Sequence, residues 1–166
     1  MFEYLSHHSV ILVSGPQRSG TTIAAKMIAA DTGHRYIDED DYGPHNKAAW
    51  FNLITDSKNV VIQCPAMCRY VHCVRAFVVM MLRPLADIIA SQERIGWGAN
   101  EAIELARYEN ASPPIAAVKY DFWRNHQRPA IDTWLEVEYE SLRGHPLWID
   151  KRERAEFTAR QTERIA

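Results

Sequence analysis

The segment Gly15-Pro-Gln-Arg-Ser-Gly-Thr-Thr22 carries the residue types that bind an anion, placed between an apolar run and a helix-forming stretch. Gly15 and Gly20 have the spacing of a phosphate-binding loop, in which backbone N–H groups and the dipole of the following helix attract negative oxygens. Where such loops carry the lysine of ATP chemistry this chain has Thr21, and the positive charge sits at Arg18. Arg18 brings a planar guanidinium that grips two oxygens together. The amides of Ser19, Gly20, Thr21 and Thr22 are expected to point at the bound anion.

Elements must hold these groups in place. Apolar runs at 10–14, 35–38, 60–64, 77–82 and 135–139 read as strands, with helices expected at 20–32, 45–57, 85–94, 100–108, 115–127 and 151–162. Ile23, Met27 and Ala30 share one helical face, and Gly33 ends that helix. The run Phe77-Val-Val-Met-Met-Leu82 is apolar throughout, as in a strand buried on both faces. The alternation predicts a three-layer α/β/α fold with a mainly parallel central sheet, of the phosphate-loop nucleotide-hydrolase type, in one domain over 1–166. Asn110-Ala-Ser-Pro-Pro114 is the clearest break. Ligands of such sheets collect at the carboxyl ends of strands. Four of these ends carry chemistry: the loop, Asp38-Glu-Asp-Asp41, Gln63-Cys-Pro65 and Arg83-Pro84.

With 166 residues the chain is long enough to bury a core without metal or disulfides, and a formal charge of -2 gives no general attraction to nucleic acid or an anionic membrane. No apolar run is long enough to span a membrane and the first residues lack a signal-peptide pattern, so the expected location is the cytoplasm. Cys64, Cys68 and Cys73 lie beside His72 without a strong zinc spacing and read as buried or semi-buried thiols. His7 and His8 read as solvated, and Trp97, Tyr120 and Trp123 are candidates for stacking on a heterocycle.

The loop together with Met81-Leu-Arg-Pro-Leu-Ala-Asp-Ile-Ile-Ala-Ser91 resembles the sulfotransferases, whose fingerprint couples a Pro-Lys/Arg-Ser-Gly-Thr-Thr loop to an arginine and a serine eight residues apart. Val137-Glu-Tyr-Glu-Ser-Leu142 is similar to their late Tyr-Glu-Asp-Leu segment. The resemblance implies that Arg18, Ser19, Gly20, Thr21 and Thr22 hold the 5′-phosphosulfate of 3′-phosphoadenosine 5′-phosphosulfate, and that Arg83 and Ser91 hold its 3′-phosphate. One doubly phosphorylated nucleotide, released as adenosine 3′,5′-bisphosphate, would bridge two separated cationic pockets with no metal, passing its sulfuryl group to a small acceptor. Some carbohydrate sulfotransferases use a glutamate about twenty residues past the loop, which makes Glu39 the implied base beside Arg18. Neighbouring carboxylates would raise its pKa, although a solvated acidic turn is the plain alternative. His45 could also reach the pocket mouth. The chain departs from the family in having Ile23 after the threonines, Gln63 or Cys64 in place of a catalytic histidine, and no late Arg-Lys-Gly element, for which Arg160 or Arg164 could substitute.

Two other functions fit parts of the pattern. A small-molecule or nucleotide kinase would share the loop and the acidic turn, but it needs a lysine on the β- and γ-phosphates and an acid near Mg²⁺ at the third strand end, where this chain has Thr21 and Gln63. A non-catalytic nucleotide-binding module would keep the cradle without the base.

Overall fold

A computed structural model describes residues 1–43, 46–94 and 134–149. Five strands, β1 (Val10–Ser14), β2 (Arg35–Ile37), β3 (Val60–Gln63), β4 (Phe77–Leu82) and β5 (Trp134–Glu138), form one sheet in the order β2-β3-β1-β4-β5. Every pairing is parallel, as the strand–helix alternation predicts. β1 lies at the centre with all five residues buried, so its side chains must satisfy two layers. Ile11 and Val13 join Ala24, Ala25 and Ile28 of helix α1 (Thr21–Thr32) in one core. Val10 and Leu12 pack with Trp50 and Ile54 of α2 (Lys47–Asp56) in the other. Each large aliphatic side chain withdrawn from water in this way contributes about 2 kcal/mol. The outcome is a three-layer α/β fold with α1 and α2 on opposite faces of the sheet.

Local chemistry sets the element ends. Gly33 closes α1 in the left-handed region at φ 71°, which costs a residue without Cβ little. Asn46 caps α2 by accepting from the Ala49 amide at 3.2 Å. Pro84 precedes α3 (Leu85–Arg94), whose bounds match the sequence expectation.

β1 and β4 have the expected bounds, whereas β2 and β3 end one residue early and β5 is shifted by one residue. β2 stops at Ile37 because Asp38 leaves the ladder to cap a 3-10 turn over Glu39–Asp41. A 3-10 segment over Pro65–Cys73, absent from the sequence reading, follows β3. His8 is half-buried and stacks on Phe77 with ring centroids 4.0 Å apart, so it is not simply solvated. Cys64 and Cys68 are buried as expected, whereas Cys73 is exposed. Among the described residues no helix is long and apolar enough to cross a membrane. The helices expected at 100–108, 115–127 and 151–162, the break at 110–114, and His45, Trp97, Tyr120, Trp123, Arg160 and Arg164 lie outside the described residues.

Candidate functional site

The loop between β1 and α1 packs tightly because glycine stands where no other residue fits. A Cβ on Gly15 would lie 2.9 Å from Ser19 Oγ and 3.0 Å from the Met81 carbonyl. Gly20, at φ 100°, precedes α1 without a side-chain cap and would drive a Cβ into the Tyr139 ring. The first turn of α1 therefore offers N–H groups that have no intrahelical partner, beside the positive end of the helix dipole. One amide departs from expectation: the Ser19 N–H donates to the Pro16 carbonyl at 3.1 Å, so it braces the loop instead of facing an anion. The Ser19 hydroxyl is buried and has no hydrogen-bond partner among the described residues.

Arg18 adopts φ 75°, a strained conformation for a bulky side chain. The surroundings hold it there. Its carbonyl accepts from Arg83 Nη1 at 2.9 Å, and its Nε donates to the Ser91 hydroxyl at 3.1 Å. Arg83 thus reaches from the end of β4 to the loop, and Ser91 reaches it from α3. Arg83 also lies over the Tyr139 ring, 4.5 Å from its centroid, and its Nε is buried without a partner among the described residues. The expected pair of separated cationic pockets is in fact one cavity of about 470 Å³ that both guanidinium groups line. β1 and β4 are neighbours in the sheet, so their carboxyl ends cannot be far apart.

A second cavity, of about 250 Å³, opens on the other side of the shared residues Arg18, Thr21 and Thr22. Asp38, Glu39, Asp40 and Gln63 give it an acidic wall. The four carboxylates of the turn are not equivalent. Asp38 accepts from the Asp40 amide at 3.1 Å, and Asp41 accepts from the Asp38 amide at 2.9 Å, so these two build the turn. Glu39 points toward β3: its Oε1 accepts from the Ala66 amide at 2.7 Å and from the Cys64 thiol at 3.5 Å. Burial first, and the charge of Glu39 second, push the Cys64 thiol well up, so it stays protonated and serves as a donor.

Gln63 joins the two cavities in a way the sequence did not disclose. Its Nε2 donates to the Thr21 hydroxyl at 3.0 Å, and its Oε1 accepts from the Glu39 amide at 3.1 Å. Both ends of the amide are engaged in the interior, where only a side chain with one donor and one acceptor end satisfies both neighbours. Lys26, which the sequence pattern did not single out, lines the larger cavity. Its position one helical turn past Thr22 was a usable signal. Among the described residues no group of three or more histidine, cysteine or acidic side chains is placed to hold a metal ion.

No protein-family model matches the chain, and no curated protein is significantly similar to it. Among solved structures it is similar to a shikimate kinase from Acinetobacter baumannii in complex with shikimate, at 15% identity and a TM-score of 0.49, over 82% of this chain and 86% of that one. A likeness this loose carries no argument about chemistry, which has to come from the site itself.

Proposed function

We propose that the chain is a transferase of the sulfotransferase type, moving a sulfuryl group from 3′-phosphoadenosine 5′-phosphosulfate to a hydroxyl or amine of a small acceptor. The observation that carries this reading is the charge pattern around the loop. Thr21 stands at the lysine position of ATP-using loops and is engaged by the Gln63 amide, while Arg18 and Arg83 line one cavity beside the start of α1. Phosphoryl transfer relies on that lysine and on an acid near the third strand end to hold Mg²⁺. Sulfuryl transfer asks instead for cations around the departing phosphate, an acceptor in line, and a base.

The residues present fit the donor. Arg83, which lines the cavity, carries a buried Nε of the kind that an anion's oxygens satisfy, whereas Ser19 is fully buried and lines neither cavity. When bound, the donor supplies an activated sulfuryl group and a phosphate leaving group. Arg18 and the first-turn amides of α1 would hold its 5′ end and stabilise negative charge on the bridging oxygen. Arg83 would hold the 3′-phosphate, and Ser91, which accepts from Arg18 Nε and does not line the cavity, would act by positioning Arg18. Glu39, in the adjoining cavity, would take the proton released from the acceptor as the new S–O or S–N bond forms.

Titration calorimetry with adenosine 3′,5′-bisphosphate, and separately with ATP and Mg²⁺, tests the proposal. The bisphosphate should bind at least about tenfold more tightly, a difference of about 1.4 kcal/mol. Preference for ATP with Mg²⁺ would turn the assignment to a kinase in which Asp38 and Asp40 of the second cavity receive the acceptor. Tight bisphosphate binding with no sulfation across a panel of hydroxyl and amine acceptors would leave a binding module.

A further inference from the structure

The cavity that holds Arg18, Lys26 and Arg83 is completed by Ile23, Tyr139, Leu147 and Ile149. It therefore pairs a cationic part with an apolar one. Leu147 and Ile149 are 43% and 46% exposed, two large aliphatic side chains left facing water at the rim of a charged cavity.

The backbone that carries them is anchored. His145 is 5% exposed, and its Nε2 lies 3.0 Å from Asp31 Oδ1 on α1. Its Nδ1 accepts from the Leu147 amide at 3.0 Å, which places the ring proton on Nε2, facing the carboxylate. Its carbonyl accepts from the Trp148 amide at 2.9 Å, and Trp148 packs on Tyr139 with ring centroids 5.2 Å apart. Solvent-facing aliphatic residues on an anchored stretch, lining a cavity with three cations, suit a ligand with an anionic end and a flat, weakly polar body.

We propose that Leu147 and Ile149 form the wall against which the heterocycle of a bound nucleotide lies, and that Asp31 and His145 are the positioning residues that hold this wall. The assignment rests on the proposed function only in requiring a nucleotide at the loop; it does not depend on which group is transferred.

Calorimetry on the full chain tests it, with adenosine 3′,5′-bisphosphate as the nucleotide and inorganic pyrophosphate as an anion without a base. The Leu147→Ala/Ile149→Ala variant should lose about tenfold or more in affinity for the bisphosphate and none for pyrophosphate. Asp31→Ala should weaken bisphosphate binding in wild type but have no further effect in the double-alanine background, because it acts through the wall. Thermal unfolding of each variant shows whether the fold is kept. Unchanged bisphosphate affinity in the double variant, or an equal loss for pyrophosphate, overturns the assignment. If wild type prefers ATP with Mg²⁺ and the double variant loses that affinity by the same factor, the wall stands and the sulfuryl-donor reading falls. If wild type binds no adenine nucleotide, both fall.

Discussion

Glu39 shows how neighbours divide labour among like residues. Four acidic side chains stand together in sequence, but Asp38 and Asp41 are tied to the amides of their own turn, and Glu39 alone is oriented by β3 and the segment after it. An N–H from Ala66 and a thiol from Cys64 aim the carboxylate without neutralising it. As a base it would accept its proton close to the shared residues Thr21 and Thr22, which line the same cavity. Glu39→Gln keeps the size of the side chain and removes the basic oxygen. Its kcat for sulfuryl transfer should fall about a hundredfold or more, while affinity for adenosine 3′,5′-bisphosphate stays unchanged. Steady-state kinetics that returned the wild-type kcat would remove Glu39 from the role of base.

At the scale of elements, the loop and the start of α1 depend on what β4 and β5 bring to them. Arg83 at the end of β4 braces the Arg18 carbonyl, and Tyr139, just past β5, fills the space a side chain at Gly20 would need. Gly20→Ala meets both a left-handed backbone and an aromatic ring, and should cost about 2–3 kcal/mol. Gly33→Ala meets a left-handed backbone with open space around it, so its cost should stay near 1 kcal/mol. Urea denaturation of the two variants separates the terms, and only Gly20→Ala should also lose pyrophosphate binding. Equal stabilities would mean that the ring does not press on the loop.

At the scale of the whole molecule, Asp31 ties the beginning of the chain, α1 and the segment after β5 together. Burial opposes its charge, but donors from the Phe2 amide, the terminal ammonium and His145 prevail and hold its carboxyl at about 2, against an ordinary 3.8. A carboxyl depressed by folding stabilises the native state fully above its unfolded pKa and loses that contribution as pH falls through the folded one. The window here is about pH 4 to 2, and the amount about 2 kcal/mol. The stability difference between wild type and Asp31→Asn should shrink as pH falls below about 5 and vanish near pH 1; a constant difference down to pH 1 would show that Asp31 is not held ionised. The parallel sheet, the helices beside it and the glycine-bounded loop between β1 and α1 were legible in sequence, because apolar period and glycine spacing are local properties. The ends of β2 and β3 were not, since Asp38 and Cys64 could equally continue a strand until their tertiary partners were known. By itself, the order of residues determined that Arg18, Arg83 and Glu39 follow the carboxyl ends of strands and that Ser91 lies on the helix after β4. Only the tertiary structure decided that Arg83 meets Arg18 in one cavity, that Gln63 links Thr21 to Glu39, and that Leu147 and Ile149 line the cavity of the two arginines. Contacts between residues tens of positions apart follow from strand order and packing, which no local spacing encodes.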